Sequence, residues 1–562
     1  MTDAVLHPVV PFAVAAALVS VLGARASRLL SLAAPIVALA SLAALPLETS
    51  VAVTTLGHEW VVLRYDALAR IFAVALALYG LVAGLYAWTM ENRWERVASL
   101  VLTGSGIGVV VAGDLLTLYL FWEWLTVASL ALIWFGRGPG AWAAGFRYLL
   151  FHLGGALVML TGILLHLGEG GSGAFVQLPT GTPAAWMILI GMMVNAAVPP
   201  LHAWLSDSYP RASVYGTVFL AAFTTKAAVY ALVRAFSGVE VLVWLGVAMA
   251  LYGVVFAVLE NDIRRLLAYH IISQVGYMVT GVGLGTELAL NGSSAHAFAH
   301  VFYKGLLMMS AGAVVYATGR NRLTELGQLA APLRWTLVLM MIGAFSISGV
   351  PLFNGFVSKS IIVSAATYAS RPPVEFLLLL ASMGTFLHTG LKLPWFTFFA
   401  GDHGARVVRP VPASMYAGMG LAAAICVVTG IVPGRTLYAL LPYAYPYDPF
   451  TAHHVVEILQ LLVGTALGFW VLRAKLAGEA SGTLDGDALY RRPLALIVEG
   501  GGDALQGLGV RVRALAWAAV AAGWTALQSL GRRDAAASLA WQSLGVFAGV
   551  AAAIVAAFLV WR

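Results

Sequence analysis

Only five of the 32 Lys and Arg residues are lysines, and four of them, Lys226, Lys304, Lys359 and Lys392, fall in or at the edge of strongly apolar stretches. Arginine takes the solvent-facing positions, among them Arg25, Arg28, Arg93, Arg96, Arg264, Arg265, Arg491 and Arg492. An arginine does not release a proton in a protein, whereas a lysine can. A lysine at mid-bilayer costs about 2.5–3.5 kcal/mol on insertion scales, so a chain that keeps its lysines there is read as needing groups that titrate. A GC-rich genome that turned exposed Lys into Arg would account for the shortage but not for the locations.

Glu123 lies in the unbroken apolar run 115–125, where a carboxylate has no interfacial position. An intramembrane charge must pair or neutralise, and the expected partner is Lys226, within 222–228. Burial disfavours a charged lysine and a nearby carboxylate favours it, so a change in their separation would switch Lys226 between holding and releasing a proton. The alternative is a static ion pair that fixes helix packing. His296, His300 and Lys304 follow at i, i+4 and i+8 and form one stripe on one helix face. Spaced roughly 6 Å apart, they suit a water-assisted proton wire. A His pair can also ligate a metal or haem, but no matching Cys/His cluster accompanies it, so no metal and no cofactor are expected. His388 and Lys392 repeat the i, i+4 relation further on.

These groups need a membrane-spanning frame. Hydrophobic residues make up 61% of the 562, charged residues only 10%, and the mean hydropathy is +0.88, against about 25% charged in soluble domains. Apolar runs of about 20 residues recur, each long enough for a ~30 Å hydrocarbon core, and their length excludes a transmembrane β-barrel. The expected fold is an all-α polytopic membrane protein of about 14–15 transmembrane helices. The first run, 9–22, is read as a retained helix and not a signal peptide. Basic loops at 25–28, 91–96 and 137–147 alternate with connections near Glu59 and at 168–183 that hold almost no Lys or Arg, which puts the basic loops in the cytoplasm and the N-terminus outside. The net charge of +7 fits that rule and not nucleic-acid binding. The single cysteine, Cys426, excludes disulfides within the chain and an iron–sulfur cluster held by this chain alone.

Two segments resemble each other. Residues 198–207 and 349–359 each place a Pro-Leu break, an aromatic residue and a polar pair inside apolar surroundings, and each precedes a lone lysine, Lys226 or Lys392. Such interruptions in corresponding halves point to an internally repeated transporter with broken helices at its ion sites; two ordinary proline kinks are the alternative. After Lys475 charged residues mix with Leu, Val and Trp over 480–533, read as a surface-lying amphipathic connector, before a last helix over 539–560.

Phe121-Trp122-Glu123-Trp124, the stretch 199–205 followed by Asp207, Thr225-Lys226, the run 262–269, and His296 with His300 and Lys304 together resemble the proton-translocating, antiporter-like subunits shared by respiratory complex I, Mrp-type cation/proton antiporters and membrane-bound hydrogenases. The resemblance covers about residues 60–435; the motif 485–491 and the last helix look most like the D component of the Mrp antiporters. It implies two inverted five-helix repeats with broken helices, at 97–265 and 266–435, between N-terminal helices over 1–96 and a C-terminal part over 436–562. It further implies that Glu123 and Lys226 are the first half's switch pair, that His296, His300 and Lys304 are the link in the second, and that Lys392 is the terminal lysine. Arg264 stands where many relatives have a lysine between the halves, with His270 as a candidate substitute and His388 as a further relay group. The function implied is proton movement, in a multi-subunit assembly in a prokaryotic inner cell membrane, coupled to cation exchange (sodium among the candidates) or electron transfer. Any NADH:quinone oxidoreductase or hydrogenase activity would belong to the whole complex. Other readings are a membrane component of a bicarbonate or carbon dioxide uptake complex with a soluble zinc-containing partner, a non-conducting scaffold for redox subunits, and a haem- or quinone-carrying subunit. Buried Lys226 and Glu123 argue against a scaffold, which needs neither.

Overall fold

The computed structural model describes residues 6–55, 58–136, 138 and 140–476. The amphipathic connector, the motif 485–491, the last helix and Arg137 lie outside the described residues. The helices below belong to one compact unit.

Helices α1 (Val10–Val21) and α2 (Ala24–Ala44) precede a short hairpin of β1 (Thr49–Thr55) and β2 (His58–Tyr65), and α3 (Ala67–Tyr86) follows. Three continuous helices come next, α4 (Arg93–Val111), α5 (Leu115–Trp134) and α6 (Ala141–Gly168). Two interrupted crossings follow them: α7 (Pro183–Asn195) with α8 (Ala203–Ser208), and α9 (Val214–Leu220) with α10 (Phe223–Ala235). The same order then recurs. Helices α11 (Glu240–Leu259), α12 (Ile263–Leu284) and α13 (Glu287–Thr318) are continuous, and α14 (Arg334–Ser348) with α15 (Asn354–Tyr368) is interrupted. Helix α16 (Pro372–Thr385) widens into π-helical turns at Phe386–Lys392 and Trp395–Phe399. Helices α17 (Ala413–Ile431) and α18 (Ala452–Leu472) complete the described fold.

Among the described residues, eleven helices are long and apolar enough to cross a membrane, with shorter apolar helices at Val10–Val21, Pro183–Asn195 and Arg334–Ser348. The protein is a multi-pass helical membrane protein. The hairpin departs from the all-helical expectation: Thr49–Thr55 is rich in Val and Thr and too short to span, so it pairs with its neighbour instead. Short polar side chains start the long helices. Asp66 caps α3, Asn92 caps α4, Asp114 caps α5 and Asp262 caps α12, each accepting from backbone N–H groups of the first turn. Alternate crossings bring the starts of α2, α4, α12 and α14 to one face, carrying Arg25, Arg28, Arg93, Arg264, Arg265 and Arg334, the face that the positive-inside rule expects to be cytoplasmic.

The interruptions have local causes. Pro199, Pro200 and Pro351 lack the N–H that would continue a helix. Each Pro-containing break also holds a non-glycine residue in the left-handed region, Ala197 at φ 58° and Leu352 at φ 73°. Such residues cost of order 1–3 kcal/mol and persist only where the surroundings fix them. Pro394, between the two π-helical segments, removes another backbone donor and accounts for the widened turns where a plain helix through His388 and Lys392 was expected. Close packing holds these segments in place. Gly246 and Gly253 of α11 and Gly276 and Gly283 of α12 face one another so closely that a methyl group on any of them would meet the partner's backbone. Every residue of α10 is buried, and so is almost all of α13.

The outer end of α10 is tied to α3 by an ion pair, with Arg234 Nη2 2.7 Å from Asp66 Oδ1, while Arg234 Nε donates to the Tyr230 hydroxyl at 2.8 Å. Asp66 also lies 3.2 Å from Arg64 Nε, so losing Arg234 removes one of its two partners and costs less than the about 3–5 kcal/mol of a fully stranded buried charge. Arg234→Leu should therefore lower the thermal unfolding midpoint of the detergent-solubilised protein by several degrees, whereas Arg435→Leu, in an exposed turn, should leave it unchanged.

Candidate functional site

A helix end frees carbonyl oxygens, and three of the four buried lysines are found on them. Lys226 Nζ donates to the Ala221 carbonyl at 2.8 Å, where α9 ends, and to Thr225 Oγ1 at 3.0 Å. Lys359 Nζ donates to the Ile347 carbonyl at 2.6 Å, in the last turn of α14. Lys392 Nζ donates to the carbonyls of Val258 at 2.6 Å and Glu260 at 3.1 Å, where α11 ends. A helix C-terminus carries roughly half a negative charge, so each ammonium lies on the electronegative end of a helix.

Glu123 does not sit where its run of apolar neighbours suggested. It is half-buried on α5 beside exposed Leu120 and Trp124, and among the described residues no ion pair joins it to Lys226. Its partner in contact is the Tyr119 hydroxyl, one turn back. A string of hydroxyls separates it from the lysine: Tyr148 feels the Glu123 charge and faces Ser129 and Thr224, Ser129 Oγ and Thr224 Oγ1 are 3.3 Å apart, and Thr225 bonds Lys226. Among the described residues the expected direct pairing of Glu123 and Lys226 is not formed: the two side chains leave different helices, and the Tyr148 hydroxyl of α6, near Ser129 and Thr224, has no hydrogen-bond partner.

Helix α13 carries the next groups. Lys226 acts electrostatically on His296, His300 and Lys304. His296 and His300 have ring centroids 6.4 Å apart. His296 Nδ1 is 2.9 Å from Ser358 Oγ, and Nε2 is 3.1 Å from the Tyr303 hydroxyl. Tyr303 donates to Gln274 Oε1 at 3.3 Å, and Gln274 Nε2 donates to Thr385 Oγ1 at 3.3 Å. With Tyr303 donating to Gln274, the consistent tautomer of His296 carries its proton on Nε2 and accepts from Ser358 at Nδ1. His300, Lys304, His270 and His388 are buried with side-chain nitrogens that have no protein partner, the condition in which a polar group calls for water or a shared proton.

His270 is where these groups meet. It lies in the field of Lys304, His388, Lys359 and Lys392, and its ring is 6.0 Å from that of His388. His388 in turn lies in the field of Lys392. Arg264 stands apart, at the cytoplasmic end of α12, where Nη1 donates to the Ala212 carbonyl at 3.0 Å. Lys304, buried on α13, lies among these groups, and Arg264 is not in contact with them. Ser358, Lys359, Tyr303, Gln274 and Tyr148 were missed as site residues. Only Ser358-Lys359 had a signal, its position just after the second proline break. Among the described residues no group of His, Cys, Asp and Glu is arranged to hold a metal ion.

Residues 112–387 match the family described as NADH:quinone oxidoreductase/Mrp antiporter, TM. The chain is 30% identical over 423 residues to NADH-quinone oxidoreductase subunit N of Desulforudis audaxviator, covering 68% of this chain and 84% of that protein. It is 28% identical to the A component of the Na(+)/H(+) antiporter of Alkalihalophilus pseudofirmus, covering 67% of this chain but only 53% of that longer one. In fold it is similar to a chain of the Mrp complex from Dietzia sp. DQ12-45-1b, with a TM-score of 0.75, 24% identity, and coverage of 92% of this chain and 63% of that chain.

Groups that act on one another across a shared polar cluster depart from additivity by about 0.5–3 kcal/mol, so the shifts in unfolding midpoint of Glu123→Gln and Lys226→Met should not sum to that of the double variant. Shifts that sum would show that Glu123 and Lys226 act independently.

Proposed function

Because the chain belongs to the NADH:quinone oxidoreductase/Mrp antiporter family of membrane subunits, we propose that it moves protons through the file of buried groups from Glu123 to Lys392, as one membrane subunit of a complex I-like or Mrp-type assembly in a prokaryotic inner membrane. The observation that carries this reading is the placement of three buried lysines on freed helix carbonyls, with His296, His300, Lys304, His270 and His388 between them in electrostatic reach of one another. We divide the halves at 93–235 and 240–399, where the order of three continuous and two interrupted crossings repeats. An odd number of crossings makes the second half inverted relative to the first, and the tight α11–α12 glycine contact keeps both those helices in the second half. Its partners are further membrane subunits and the transported ions, protons and, in an antiporter assembly, a cation such as sodium.

The mechanism follows from the donors. Lys226 holds a proton while the Ala221 carbonyl and Thr225 hydroxyl accept from its ammonium, and Glu123 favours that state through the hydroxyl string. Withdrawal of the Glu123 charge, by protonation or by movement of α5, leaves a buried ammonium without its counter-charge. The proton then passes toward His300 and Lys304, whose nitrogens have no other protein partner. From there His270 and His388 lead to Lys392. Each proton that reaches Lys392 electrostatically disfavours another behind it, which couples the halves without a moving scaffold.

Lys226→Ala should abolish proton flux in vesicles while the protein still inserts and assembles, and Lys226→Arg should be nearly as inactive because its charge cannot leave. Lys392→Met should block flux as fully as Lys226→Ala. Arg264→Lys should leave flux unchanged, since Arg264 is bonded at the cytoplasmic end of α12 and not along the file. Normal flux in Lys226→Ala would overturn the mechanism.

A further inference from the structure

A carboxylate that the file does not use stands beside Lys392. Lys392 Nζ donates to the Val258 and Glu260 carbonyls, and the Glu260 side chain, only 7% exposed, leaves the same turn between α11 and α12. Its Oε1 accepts from the backbone N–H groups of Asn261 at 2.9 Å and Asp262 at 3.1 Å. Its Oε2 lies 3.3 Å from Nε of Arg265, in the first turn of α12. Among the described residues no ion pair joins Glu260 to Lys392, yet the carboxylate acts on the lysine through its charge. One carboxylate thus faces two cations, Lys392 buried in the file and Arg265 at the rim, its side chain 34% exposed.

The turn that carries Glu260 is fixed in place. Asn261 Nδ2 donates to Thr324 Oγ1 at 3.0 Å, and the Thr324 N–H donates back to Asn261 Oδ1 at 3.1 Å. The Leu323 N–H donates to the Asn261 carbonyl at 2.8 Å, and the Ile263 N–H to the Asn321 carbonyl at 2.9 Å. Asp262 gives its oxygens to the first N–H groups of α12 and to Asn321. Arg265 lies over the Tyr269 ring, 5.8 Å from its centroid, and of the ion pair it is the member with room to move. The other titratable groups in electrostatic reach of Lys392 are His388, one turn before it, and His270 of α12. Of the helices packed on this segment, α14 begins at Arg334 and α18 ends just before Arg473.

Resting on the proton-moving function proposed above, we propose that Glu260 is the counter-charge of Lys392, shared with Arg265, and that this sharing sets how firmly Lys392 holds its proton. With Arg265 against Oε2, the carboxylate charge is partly offset and the Lys392 ammonium is held less firmly. With Arg265 turned toward its own aqueous face, the whole charge acts on Lys392 and favours the ammonium. Glu260 takes no proton itself; it is a positioning residue that works through its charge. The second half then has a carboxylate and lysine of its own, with the difference that an arginine competes for the carboxylate.

The test titrates Lys392 directly. The chain has five lysines, so full-length protein in lipid nanodiscs, with lysine isotopically labelled at Nζ and read by NMR, gives few amine signals, and that of Lys392 is the one lost in Lys392→Met. Its titration midpoint should fall by about 1 pH unit in Glu260→Gln and stay near the unsubstituted value in Glu260→Asp, which keeps the charge. It should rise in Arg265→Gln, because the full carboxylate charge then acts on Lys392. A role confined to holding the turn would not move the midpoint in opposite directions. An unchanged or raised midpoint in Glu260→Gln would overturn the counter-charge, and an unchanged or lowered one in Arg265→Gln would overturn the sharing; where Glu260→Gln fails to fold, Arg265→Gln decides. The titration needs no transport, so absence of proton flux in vesicles would overturn the function proposed above and still leave the midpoints to decide on Glu260.

Discussion

The arrangement depends on one interaction, that of a lysine ammonium with carbonyl oxygens freed where a helix stops inside the membrane. A bilayer supplies no water to a stranded carbonyl, so a helix can break there only where something else meets its backbone. A lysine supplies three donors and a positive charge against the negative end of the helix. The two costs, a broken helix and a buried charge, offset each other. Ala221 and Ile347 are the carbonyls at the breaks, and Lys226 and Lys359 are their cations; Lys392 meets Val258 and Glu260 at the ordinary end of α11. A neutral lysine amine would still donate to the carbonyl but would no longer offset the negative end of the helix.

The rest of the molecule keeps those positions apart and connects them. Helix α13, 32 residues long and buried along most of its length, carries His296, His300 and Lys304 between the two sets of interrupted crossings. Its groups differ in kind from the lysines at the breaks: His300 and Lys304 have no protein acceptor, whereas His296 is held on both sides by Ser358 and Tyr303. A group without fixed partners loses and gains a proton at lower structural cost, which suits the middle of a path; a group parked on a helix end suits a point where a charge must be stored. The α11–α12 glycine contact and the Asp66–Arg234 pair do no proton chemistry, but they fix the helices that present these groups.

The fold was legible because its strongest signals are one-dimensional. Long apolar runs, arginines in alternate loops, and prolines at 199, 200 and 351 announce spans, sidedness and breaks without knowledge of any contact. Lys226, Lys392 and the row on α13 were legible for the same reason, since a lysine or histidine in an apolar run is conspicuous by itself. What stayed hidden was pairing. Glu123 and Lys226 were expected in contact because each is alone in its run, and only the structure shows that they form no ion pair, with Tyr148, Ser129 and Thr224 nearby. Arg264 stands where many relatives have a lysine between the halves, and only the structure shows its guanidinium bonded to the Ala212 carbonyl. Tyr303 and Gln274 are ordinary helix residues in the sequence, and their role appears only when α12, α13 and α16 meet.

The central claim is that the amine on Ala221 must be able to lose its proton, and side-chain chemistry tests it directly. Lys226→Cys, in the Cys426→Ser background, would be alkylated with 2-bromoethylamine to rebuild a titratable amine of nearly the native length, or with its trimethylammonium analogue to install a permanent charge. Proton flux in vesicles is then measured for protein whose modification is confirmed by mass. The account predicts that the amine restores flux and the quaternary ammonium does not; equal flux from both would contradict it.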